Sequence, residues 1–92
     1  MTFTPKTPYD VIELSLTAAR TDSAEGLETI SNTLTILTLD TGALSFKLNS
    51  ADNASIPASD GLKIEGVIIT DIFWTNTAQA GLTAKIFHGW VD

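Results

Sequence analysis

The sequence predicts an all-β fold: one small antiparallel β-sandwich, jelly-roll-like or Ig-like, or a small barrel, behind an extended N-terminal arm. Three observations predict it. Apolar and polar residues alternate with a period of two in several short stretches. Clusters of Gly, Pro, Asn, Asp and Ser separate those stretches. The longest apolar run, Val67 to Thr75, is filled with β-branched and aromatic residues, which pack well on a pleated surface. The 92 residues make one domain, with the arm at 1–8 and the folded unit at 9–92.

The arm is "MTFTPKTP". Pro5 and Pro8 exclude a helix and extend the residue before each of them, and Phe3 and Tyr9 supply aromatic anchors. In "YDVIELSLTAA", Ile12, Leu14 and Leu16 share one face, and Val11, Glu13, Ser15 and Thr17 share the other, as in a half-buried strand. "RTDSAEGLETISN" carries mixed signals. Asp22 and Glu25 resemble a capping box, and Leu27, Ile30 and Leu34 fall at helical spacing. Gly26 and the run Thr29 to Thr33 oppose a helix. The segment reads as a loop with at most one helical turn, and the next strand is expected to begin near Ile30.

Leu34 and Ile36 share a parity that Leu37 and Leu39 break, which predicts a β-bulge or a strand buried on both faces. Asp40-Thr41-Gly42 suits a tight hairpin. The return strand places Leu44, Phe46 and Leu48 inside, with Ser45 and Lys47 outside. A polar loop runs to Pro57 and the turn Ser59-Asp60-Gly61. Leu62 and Ile64 then face inward and Lys63 and Glu65 outward. Gly66 predicts a bulge or bend, and the run after it predicts a strand central to its sheet. Beyond the turn at Thr77 to Gly81, Leu82, Ala84, Ile86, His88 and Trp90 alternate with Thr83, Lys85 and Phe87.

Composition narrows the function. No cysteine is present, so disulfides and zinc–thiolate chemistry are excluded. The net charge is −6 and the five basic residues are scattered, which disfavours direct nucleic-acid binding. No apolar run approaches the roughly 20 residues that span a bilayer, and the N-terminus shows no signal-peptide pattern. Charged residues are only 17% of the chain, against about 25% on average. Thr, Ser, Asn and Ala replace them, which suits contact with other protein or with sugar.

Catalytic residues are sparse. His88 is the single histidine, and one histidine near a terminus reads as structural rather than as a general base. Asp52 and Asp60 lie in loops, but no calcium-loop spacing surrounds them, and turn formation explains them better. Asn53-Ala54-Ser55 matches the glycosylation pattern by chance. No enzyme, cofactor or metal is expected. The aromatics are the better candidates. Phe73 and Trp74 are neighbours on one strand and point to opposite faces. A subunit interface is therefore expected to draw on Phe3, Tyr9, Thr35, Thr38, Phe73, Trp74, Phe87 and Trp90, since aromatics concentrate at interfaces. A carbohydrate- or receptor-binding module stacking sugars on Trp74 or Trp90 is the alternative.

One resemblance adds to this reading. "TLTILTLDTGALSFKLN", "IPASDGLKIEG" and "ITDIFWTNTAQAGLTAKIFHG" resemble small β-sandwich structural proteins of tailed bacteriophages and related viruses, over roughly residues 33 to 89. The resemblance implies a virion protein that decorates a capsid, tail or fibre. It also implies a symmetric homo-oligomer, three copies being the usual number, bound to other virion proteins after assembly in the host cytoplasm. The Thr-rich face of residues 33 to 49 is then a surface shown to solvent or to a neighbouring subunit.

Overall fold

Alternation in the sequence becomes a single antiparallel sheet. The computed structural model describes residues 9–39 and 43–91. Its strands are β1 (Tyr9–Ser15), β2 (Arg20–Leu39), β3 (Ser45–Leu48), β4 (Ile56–Pro57), β5 (Lys63–Asn76) and β6 (Thr83–Gly89). The six strands are ordered β1-β6-β2-β5-β3-β4. All neighbours are antiparallel. The proposed arm at 1–8, with Phe3, lies outside the described residues.

One face of the sheet wraps the core. Leu14 and Leu16, Leu34 and Ile36, Phe46 and Leu48, and Ala84 and Ile86 are all buried, at the parities the alternation predicts, and Ile72 and Trp74, for which it gave no side, are buried with them. Each fully buried Leu or Ile contributes on the order of 2 kcal/mol relative to exposure. Trp74 lies against Phe46, with ring centroids 5.5 Å apart. Its Nε1–H meets no acceptor among the described residues, which tolerates packing at a polar cost.

Three local expectations need correction. Residues 21–32 are strand and neither loop nor helical turn, because β2 extends from Arg20 to Leu39. Backbone pairing to the long apolar β5 outweighs the weak local preferences there. The helical spacing was coincidental: Leu27 packs on the core while Ile30 is exposed. A tight hairpin at Asp40-Thr41-Gly42 fails as well. Those three residues lie outside the described set, but the strands on either side are not neighbours, since β2 pairs with β5 and β6 and β3 pairs with β4 and β5. Finally, not all strands are short.

The expected bulge in β2 is present, as a register shift between Ile36 and Thr38 opposite β6. It leaves Leu37 exposed and lets Leu39 pack on the core.

The path of β2 sets the architecture. Arg20 Nη1 donates to Ser15 O, at the end of β1. Leu39, at the other end of β2, is opposite Ala84, which is itself opposite Leu14. Both ends of β2 therefore lie near the same end of β1, and the β2–β5 ribbon folds back on itself. The fold-back coincides with register shifts at Gly26/Ser31 and Ser31/Thr33. Gly66, at φ 77°, supplies the backbone conformation that a residue with a Cβ resists. Beyond the fold-back, Asn49 joins β3 to β5 through backbone and side chain together: its N–H donates to Asp71 O at 2.9 Å, its Oδ1 accepts from Thr70 N at 2.8 Å and its Nδ2 donates to Ile68 O at 2.7 Å.

The opposite end is closed by polar side chains. Buried Asn76 donates through Nδ2 to Ala18 O at 3.0 Å and to Thr77 O at 2.7 Å, and its Oδ1 accepts from Arg20 Nη1 at 3.2 Å. Gln79 grips Ala43 from both sides, with Nε2 donating to Ala43 O at 2.8 Å and Oε1 accepting from Ala43 N at 2.7 Å.

β1 is an edge strand. Leu16 N donates to Leu82 O at 2.9 Å. With the register this assigns the even-numbered groups of β1 to the β6 ladder and leaves the odd-numbered ones facing outward. Val11 N–H donates to Asp10 Oδ1 at 2.8 Å, and Ser15 O is taken by Arg20.

Candidate interaction surface

On the side of the sheet away from the core, the pairing lines up Val11, Phe87, Thr35 and Lys63 across four strands. The next row is Tyr9, Gly89, Thr33 and Glu65. The Tyr9 ring stacks on Phe87, with centroids 5.5 Å apart and planes 22° from parallel. Tyr9 and Val11 are both exposed. A depression of about 400 Å³ adjoins this face, lined by Asn32, Thr33, Glu65, Gly66, Phe87 and Val91. Lys63 and Glu65 are ion-paired at 2.7 Å, so its charged wall is locally neutral.

Sequence reasoning selected eight residues, and the structure gathers some of them. Tyr9, Thr35 and Phe87 share the outer face. Thr38 is exposed on β2 just past the bulge, opposite Lys85. Phe73 also faces outward and is half-buried, but it lies on the other half of the ribbon between Ala24 and Lys47. Trp90 is half-buried just beyond β6. Trp74 is corrected: at 1% exposure it is a core residue, so it forms neither an interface nor a sugar platform. Phe3 lies outside the described residues.

The structure also joins two residues that sequence reasoning kept apart. Ser31 Oγ and His88 Nδ1 are 2.8 Å apart, although 57 positions separate them. Ser31 Oγ is also 3.0 Å from Thr29 O, to which its hydroxyl donates. The ring then donates from Nδ1–H to Ser31 Oγ, which fixes the tautomer. Ser31 is 0% and His88 2% exposed, so no substrate reaches them. The pair ties β2 to β6 from inside. Burial pushes the His88 pKa down, opposed by the charge of Asp10. Burial and the neighbouring Asp10 carboxylate push the Glu25 pKa up, opposed by Arg20.

The loop carboxylate Asp60 has a structural partner, accepting from Leu39 N at 2.8 Å. A second depression, of about 530 Å³, lies at the clasped end around Arg20, Ser45, Thr75 and Thr77. The guanidinium there already holds Ser15 O and Asn76 Oδ1. Comparison with known proteins gives no match to a family model, to a curated protein or to a solved structure.

Proposed function

We propose that this chain is a structural module of a virion, which associates with copies of itself and with other virion proteins through the outer face of β1, β6 and β2. The single observation that carries the self-association is the row Val11, Phe87 and Thr35 with Tyr9 stacked beside it, apolar and aromatic on the side that the core does not use. Water leaving such a face favours association, and rigid aromatics lose little freedom in doing so. The resemblance of residues 33 to 89 to bacteriophage structural proteins supplies the viral setting.

Light scattering of the purified chain over a micromolar concentration series tests this. The expected result is a mass above one chain, reduced to one chain by Thr35→Lys or Val11→Lys with the circular-dichroism spectrum kept. A single-chain mass throughout the series overturns it.

A further inference from the structure

The fold-back of the β2–β5 ribbon forms a surface of its own. Ile30, Val67 and Ile68 are 54%, 41% and 60% exposed there, and they belong to the two segments that carry the register shifts. Large aliphatic residues exposed together at a bend do no work in the monomer, because Ser31 and Ile69 beside them already fill the interior. The same segments are acidic. Residues 25–33 and 65–71 contain Glu25, Glu28, Glu65 and Asp71 and no Lys or Arg. Exposed Asp10 is close enough in charge to raise the Glu25 pKa. Lys63 is engaged by Glu65, and Arg20, whose charge reaches Glu25, is held by Ser15 O and Asn76 Oδ1.

From this we infer that the fold-back is a docking tip for a different protein, whose surface offers an apolar socket bordered by Lys or Arg. Charge decides the occupant. A second copy would set carboxylates against carboxylates around the same isoleucines, and like charges facing each other oppose contact. A cationic rim neutralises them while the socket takes Ile30, Val67 and Ile68 from water. This tip borders the Tyr9–Phe87 face at Glu65 and Gly66 but uses different apolar residues, so one chain can bind copies laterally and attach to a larger body at its end.

The test uses the whole chain, isotope-labelled, and two short alternating peptides, Lys/Leu and Glu/Leu, as probes. Backbone amide shifts of residues 27–31 and 67–70 are the readout, since Asn32 and Gly66 line the depression beside Phe87. The Lys/Leu peptide is expected to move these signals saturably, less so at high salt, and the Glu/Leu peptide is not. Ile30→Ser combined with Ile68→Ser should weaken binding by about tenfold or more while the melting temperature holds. Glu28→Lys should weaken it too. Equal response to both peptides, response to neither, or shifts of these signals with protein concentration alone each overturns the inference. The outer-face proposal fails or stands separately, because it is read from mass.

Discussion

The two ends of the molecule solve the same problem in opposite ways. At the clasped end, Arg20, Asn76 and Gln79 place their polar atoms on the carbonyls and amides of three connections. At the fold-back end, the ribbon reverses through Gly66 and a pair of register shifts, and it leaves aliphatic side chains in water. One end spends side chains on holding loops, and the other relies on backbone pairing, on the buried Ser31–His88 pair and on the amides of Asn49 and Asn32. The difference teaches where a small sheet can keep a surface for others. A loop end needs its polar groups for itself, whereas a bent ribbon satisfies most of its backbone through strand pairing and the amide of Asn49 and leaves its aliphatic side chains uncommitted.

Substitutions at the two ends should differ accordingly. The largest effect is expected for Asn76→Ala, which strips buried carbonyls of their donor and Arg20 of an acceptor. Urea denaturation should show a loss of about 3 kcal/mol. A loss below about 1 kcal/mol would make the clasp decorative and erase the contrast. Ser31→Ala should remove about 1–2 kcal/mol, by leaving the His88 Nδ1–H without its acceptor.

Gly66→Ala should lower stability by about 1 kcal/mol. A Cβ there meets nothing within 4 Å, so backbone conformation alone carries the effect. No change would mean that the fold-back does not depend on it.

The smallest effects are electrostatic and have opposite signs. His88 titrates below its ordinary value of 6.5 in the folded chain, so its contribution to stability is complete above that pH and declines as acid reaches the folded pKa. Glu25 titrates above its ordinary value of 4.5, so its contribution is complete below that pH and is lost as pH rises through the folded pKa. Glu25→Gln should therefore slightly raise the melting temperature at pH 7, with the gain vanishing near pH 4. A loss at pH 7 would show that its attraction to Arg20 outweighs burial and Asp10.

The sequence made parts of this legible. The strands at 9–15, 45–48 and 83–89 follow strict alternation because one side of each faces the core, and the bulge after Ile36 shows as a broken parity. The first half of β2 was not legible. Its apolar residues are few, since the ribbon there bends and leaves Ile30 in water, and a β strand held by its partner need not alternate. Pairing order was hidden for a related reason: a short polar connection invites a hairpin, whereas β2 is claimed by the longer and more apolar β5. Of the outer face, Tyr9, Thr35 and Phe87 were identifiable from residue type and parity. Ser31 and His88 were not, because only the folded path brings together residues so far apart in the chain. Trp74 was misassigned because parity separates it from Phe73 without saying which of the two points inward.

The occupied margin of β1 has a consequence for how copies can meet. An outermost strand with vacant amides and carbonyls recruits the next molecule, and that one the next, without limit. Here a carboxylate sits on Val11 and a guanidinium on Ser15, so lengthwise stacking is interrupted at two points. With that rim partly blocked, contact through a surface is favoured, and surfaces related by rotation close into rings of definite number, whereas an open rim grows into fibre.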